Sequence, residues 1–155
     1  MAIYPVRLLR EYMDISLKLI VALHRCIDKI DKKTMKLAQE EGLTFGQFEV
    51  LEVLYSKGDM SIGNVMRKIL SSVGTISVIV NNLVKLDYIE KIPCESDKRV
   101  CILHLKDKGR DVIERVVVRN TEMLEESFLM LTEEEKENLL IILKKIGGIY
   151  GKKSN

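Results

Sequence analysis

Two short runs rich in β-branched residues, Tyr88–Pro93 and Val100–Leu105, interrupt a chain whose apolar residues otherwise recur at helical spacing. Six polar or turn-forming residues separate the runs, Asp97-Lys98-Arg99 among them. Such a pair reads as a β-hairpin with a charged loop. Immediately upstream, Ser72–Asp87 reads as an amphipathic helix with a polar outer face. Helix, hairpin and a loop able to hold an arginine out towards DNA are the parts of a winged helix-turn-helix.

The remaining pattern fits that frame. Leu9, Met13, Leu17, Ile20, Leu23, Ile27 and Ile30 recur at intervals of three or four, as one face of a long helix requires. Gly42 ends it, and Thr44-Phe45-Gly46-Gln47 has the form of a capping box opening a second helix with Phe48, Leu51 and Leu54 inward. Ser61 caps a short third helix with Ile62, Val65, Met66 and Ile69 inward. After a break at Ser71-Ser72, Ile76, Val80 and Leu83 form the buried stripe of the fourth. Short turns between helices of this length are the helix-turn-helix arrangement in sequence form. In the second β run Cys101, Leu103 and Leu105 share one face, and Val100, Ile102 and His104 the other. Beyond Asp107 the helical period returns with Val112, Val116, Met123 and Phe128, and a second capping box at Thr132–Glu135 opens a last helix bearing Leu139, Leu143 and Ile146.

The expected fold class is therefore mainly α with a small β-hairpin wing. Residues 43–106 are expected to form the winged helix-turn-helix, and residues 1–42 and 107–155 a helical dimerisation region. The terminal stripes are too apolar to stand alone, so they are expected to pack against each other and against a second copy of the chain.

Composition narrows the classes. Apolar residues make up 46% of the 155, but aromatics only 5% with no Trp, so the core must be aliphatic. A net charge of +2 permits nucleic-acid binding without arguing for it. No apolar run approaches the roughly 20 residues that span a bilayer. Charges at Arg7, Arg10 and Glu11 make the start unlike a secretory signal. Three cysteines without framework spacing point to a reducing cytoplasm. No nucleophile motif or glycine-rich phosphate loop is present, and the Glu run at 133–135 reads as helix capping. Neither an enzyme nor a cofactor is expected, and no membrane partner.

Five segments in order carry a family resemblance: Leu43-Thr44-x-x-Gln47-Phe48-x-x-Leu51, Ser72-x-Gly74-Thr75-Ile76-Ser77, Leu83-x-x-Leu86-x-Tyr88-Ile89-x-Lys91, Asp97-Lys98-Arg99 and Leu105-x-x-x-Gly109. Over residues 43–110 the chain resembles the multiple-antibiotic-resistance regulator (MarR) family. The resemblance implies a dimeric winged-helix transcription factor, usually a repressor, often released from its operator by a small ligand or by oxidation. The chain carries Asn82 and Lys91 where the family commonly has arginine, and Lys106 where it usually has threonine.

On a helix starting at Ser72, the face opposite Ile76, Val80 and Leu83 carries Thr75, Val78, Asn81, Asn82 and Lys85. An Asn can bond adenine N6 and N7 together, Thr and Val can pack on a thymine methyl, and Lys85 would reach phosphate. Ser71, Ser72 and the free N–H groups of the first turn suit phosphate oxygens. The resemblance implies that Asp97 and Arg99 form a wing-tip pair, with Arg99 entering a narrow minor groove and Lys98 adding charge at the phosphates. So few basic residues on the reading face imply modest non-specific affinity and a shallow salt slope.

Cys26 is a candidate redox residue, with His24 and Arg25 beside it in sequence, although a cysteine in an apolar helix more often packs. No metal site is expected, since Cys101 and His104 point to opposite faces of one strand. The leading reading is a homodimeric repressor that binds double-stranded DNA at a pseudo-palindromic operator and is released by a small ligand. Its rivals are a thiol-based redox-sensing regulator and a winged-helix module that docks a protein without binding DNA.

Overall fold

In the computed structural model, residues 6–69, 72–94 and 100–148 are described, with side chains from residue 14 onward. They form two compact units, Met1–Asn120 and Thr121–Asn155.

Local chemistry sets the helix ends. The first helix, α1 (Val6–Glu40), stops at Gly42, whose φ of 76° is the left-handed conformation that glycine adopts without penalty. Leu43 N–H donates to Ala38 C=O at 2.9 Å and Gly42 N–H to Gln39 C=O at 3.0 Å, the paired bonds of a Schellman cap. Leu43 and Ala38 are both buried, supplying the apolar contact that accompanies such a cap. The box at Thr44 then opens α2 (Phe45–Lys57): Thr44 Oγ1 accepts from Gln47 N–H at 3.3 Å, and Thr44 N–H donates to Gln47 Oε1 at 2.8 Å. Ser61 caps α3 (Ile62–Lys68) and Ser72 caps α4 (Val73–Lys85), each through its hydroxyl.

The expected hairpin is β2 (Ile89–Pro93) and β3 (Cys101–Leu105), antiparallel with Ile89 opposite Leu105 and Pro93 opposite Cys101. A third strand, β1 (Met60–Ser61), pairs with the other edge of β3 through Met60 opposite Leu103, giving the order β1-β3-β2. Two residues are too few to show a period of two, so no pattern in the sequence marked this strand.

The core of the first unit gathers Phe48, Leu51 and Leu54 from α2, Val65 from α3, Ile76, Val80 and Leu83 from α4, and Leu103 and Leu105 from β3. Val112, Ile113 and Val116 complete it from α5 (Asp107–Ser127). Each such side chain contributes about 1.5–3 kcal/mol through burial, so these contacts fix the pose of α4. Ion pairs join the end of α1 to α5: Arg115 Nε meets Glu41 Oε2 at 2.8 Å, and Arg119 pairs with Glu40. Its hydrogen bond to Arg119 holds the Glu40 carboxyl below its usual range.

A tight junction links α4, β2 and α5. Asp87 takes a φ of 61°, and Tyr88 N–H donates to Leu83 C=O at 3.0 Å, a second Schellman cap made without glycine. Asp87 also pairs with Lys106, and that hydrogen bond lowers the Asp87 pKa and raises that of Lys106. Tyr88 C=O accepts from Lys106 N–H at 3.0 Å, while Lys108 Nζ donates to Leu86 C=O at 2.9 Å and lies over the Tyr88 ring.

In the second unit, the end of α5 and α6 (Glu133–Ile146) border an open apolar groove of about 400 Å³ lined by Leu124, Phe128, Leu139, Leu140 and Leu143. Ile142 and Ile146 of α6 are exposed, as are Leu17, Ile20 and Ile27 of α1. The sequence reading expected the terminal stripes to pack against each other and against a second copy; in the single chain these residues are exposed. Thr132 opens α6 with the second capping box, and its backbone and hydroxyl hydrogen bonds hold the Glu135 carboxyl below 4.5. A carboxyl depressed by folding stabilises above its unfolded value and loses that contribution as pH falls through its folded one. The first turn of α6 is therefore expected to loosen as pH drops below 4.5, seen as Cα chemical shifts of Glu133–Lys136 moving towards coil before those of the helix centre. Simultaneous loss along all of α6 would show that the box does not govern this end.

Candidate nucleic-acid interface

The reading surface follows from what α4 buries. Ile76, Val80 and Leu83 turn into the core against α2 and β2. At 3.6 residues per turn this leaves Gly74, Val78, Asn81 and Lys85 in one outward row, all exposed, with Thr75 and Asn82 exposed along its edge. Val78 is 61% exposed, an apolar side chain that the described residues leave in solvent. Such a mixture of amide, methyl and ammonium groups on a helix of 13 residues is suited to the edges of base pairs in a major groove.

The first turn is more ordered than an exposed polar surface need be. Ser72 Oγ accepts from Thr75 N–H at 3.3 Å and lies 2.8 Å from Thr75 Oγ1, so the two hydroxyls share one hydrogen bond. Ser77 Oγ donates to Val73 C=O at 2.9 Å, turning its hydroxyl back onto the helix. On α3, Arg67 hydrogen-bonds Asn64 Oδ1, and Arg67 and Lys68 are both exposed. These two add positive charge that the sequence reading did not assign to the surface.

The wing strand meets α4 directly. Lys91 Nζ donates to Asn81 Oδ1 at 2.7 Å, joining two exposed side chains from a strand and a helix. The reading of Asn81 as a free adenine-binding amide did not anticipate this, because residues ten apart meet here only through the turn between α4 and β2. A usable clue was present: Lys91 lies two residues past the buried Ile89, on the same strand face.

Ser71 and the wing-tip residues Asp97, Lys98 and Arg99 lie outside the described residues. Of the other nominated positions, Ser72 caps α4 and Thr75, Val78, Asn81, Asn82 and Lys85 lie along it, all of them exposed.

Elsewhere, His104 Nδ1 lies 2.8 Å from Asp59 Oδ2, tying β3 to the segment after α2 rather than joining a cysteine. Among the described residues no group of three or more His, Cys, Asp or Glu side chains could hold a metal ion. Cys26 is exposed on α1, while Cys94 and Cys101 are half-buried. Among the described residues no helix is long and apolar enough to cross a membrane.

Comparison with known proteins bears on this geometry. A family model described as "Transcriptional regulator SarA/Rot" matches residues 32–116, which takes in all of α2 to β3. The chain is 30% identical over 132 residues to the HTH-type transcriptional regulator MhqR of Bacillus subtilis, spanning 85% of this chain and 91% of that one. In fold it is similar to Staphylococcus aureus MepR in a DNA complex, with a TM-score of 0.74 and 21% identity over 83% of this chain and 96% of that one. Escherichia coli MarR in its apo form gives a TM-score of 0.66 and 20% identity over 94% of this chain and 98% of that one.

Proposed function

We propose, since the chain belongs to the SarA/Rot family of transcriptional regulators, that it acts in the cytoplasm as a homodimeric repressor reading a pseudo-palindromic operator. It is a DNA-binding regulator of the MarR winged-helix type. The observation that carries it is the outward row of α4, whose amide, methyl and ammonium groups stay exposed while the opposite stripe is fully buried. In the proposed complex α4 enters the major groove through Thr75, Val78, Asn81, Asn82 and Lys85. Ser71 and Ser72 meet phosphate, and Arg99, with Asp97 and Lys98 beside it, reaches the minor groove. A two-fold dimer sets its reading helices about 34–36 Å apart, one turn of duplex. Exposed apolar residues on α1 and on α6 are the surfaces a second copy covers.

A small ligand that favours one spacing of the two reading helices over another would release the operator by shifting that equilibrium. A thiol-based release keeps one observation in its favour, the exposure of Cys26.

Fluorescence anisotropy on duplexes flanking the protein's own gene, at two salt concentrations and against a scrambled control, tests the reading. Arg99→Ala is expected to weaken selective binding about tenfold and to lower the already shallow salt slope by about one. Binding no tighter than to the scrambled duplex and indifferent to the substitution, followed by a random-sequence selection that enriches nothing, would move the chain to the protein-docking reading.

A further inference from the structure

Resting on the operator-reading role proposed above, we infer that Lys91 is a specificity-positioning residue: its hydrogen bond fixes which way the Asn81 amide is presented to the major groove. Lys91 Nζ lies 2.7 Å from Asn81 Oδ1. An ammonium can only donate, so the amide atom facing it must be the oxygen, and the NH2 group is the end turned away from Lys91. The orientation of this amide is thus set by chemistry and not by choice of fit.

Placement explains why these two residues meet. Ile89 is buried where β2 packs on α4, and Lys91 follows it by two residues on the same strand face, about 7 Å further out. Asn81 stands in the outward row of α4, one turn before Lys85. The bond therefore bridges the wing and the reading helix at the rim where both would face the duplex. In water an exposed bond of this kind contributes little. Once DNA covers the surface and water no longer competes, a hydrogen bond to a charged donor is roughly twice as strong as a neutral one.

This changes what Asn81 can read. A free Asn amide recognises adenine by accepting from N6 and donating to N7 together. With Oδ1 held by Lys91, one of its two lone pairs is committed and the other can accept from adenine N6 only in the orientation Lys91 allows, while the NH2 group stays available to adenine N7, guanine O6 and N7 or thymine O4. The specificity of one helix position is set by a residue on a different element.

The test uses duplexes selected from a random library by the wild-type protein, with every base pair then substituted in turn. Wild type, Asn81→Ala, Lys91→Met and the double variant are compared base by base and at several salt concentrations. The inference expects Lys91→Met to flatten the preference at the same base pair as Asn81→Ala, from about tenfold to threefold or less. In the Asn81→Ala background, Lys91→Met should leave the preference pattern unchanged. A loss from Lys91→Met that is equal on every duplex, with the salt slope lower by about one and all preferences kept, is what a phosphate contact alone would give, and it overturns the inference. So does an Asn81→Ala variant with the wild-type preference pattern. Failure of the wild type itself to enrich any sequence is a separate result, visible before any variant is made, and it removes the operator-reading role along with the inference.

Discussion

Replacing Gly109 with alanine is expected to lower the unfolding free energy by about 3 kcal/mol, which in a chain of this size is a fall in Tm of about 6–12 °C. A Cβ at this position would stand 2.2 Å from Tyr88 O and 2.9 Å from Tyr88 C, with Leu105 Cδ1 at 3.0 Å. Neither backbone atom can step aside. Tyr88 O already accepts from Lys106 N–H, and Tyr88 N–H closes the cap on Leu83. Relief must come from lifting the first turn of α5 off the junction, which also uncovers the buried Val112 and Ile113. Gly46→Ala is the matched control. Its Cβ would meet only Ile79 Cδ1 closely, at 2.7 Å, the end of a flexible side chain, and alanine favours the helix by about 1 kcal/mol. Urea unfolding of both variants at one fixed protomer concentration reads the difference. Equal stabilities for wild type and Gly109→Ala would mean that α5 does not approach Tyr88 this closely in solution.

The second large effect concerns assembly. Ile142 and Ile146 are 53% and 66% exposed, lie one turn apart on α6, and do not line the groove beside α5. Glutamate at both is expected to convert the proposed dimer into a monomer of 17.8 kDa by light scattering, while the far-ultraviolet circular dichroism stays helical. Buried charge in an apolar interface is strongly unfavourable, whereas the same charge on a solvated helix costs little. Operator affinity should then drop by about a hundredfold or more, because linking two half-site contacts raises avidity by roughly 10²–10⁴. A variant that stays dimeric would acquit this face of α6. A monomer with full affinity would show that one subunit reads the operator unaided.

How much of this was legible depended on how far each feature reaches along the chain. Thr44–Gln47, Ser61 and Thr132–Glu135 announced helix starts because a cap is a contact between residues three apart. The stripe of Ile76, Val80 and Leu83 was legible for the same reason, and with it the outward row of α4. Strand β1 was not, since Met60 is ordered by Leu103 across the sheet. Ile113 was passed over because it stands next to Val112, and a one-residue step blurs a row drawn at intervals of three and four. The α1 row of Leu17, Ile20 and Ile27 was read as one face of a long helix awaiting cover from the other terminus and a second copy, and it is exposed in the single chain. Periodicity says that a face will be covered and is silent on what covers it. The bond between Lys91 and Asn81 needs a helix, a turn and a strand to be in place first. Ser71 and Asp97–Arg99 rest on the sequence and its resemblance.

The junction at Tyr88 has a mechanical meaning as well. One carbonyl oxygen serves the strand-to-helix turn and forms the floor under Gly109, while the neighbouring N–H closes the end of α4. No slack remains there for one helix to bend independently of the other. A displacement of the first turn of α5 therefore reaches the end of α4 through a single peptide group, as through a welded joint rather than a hinge.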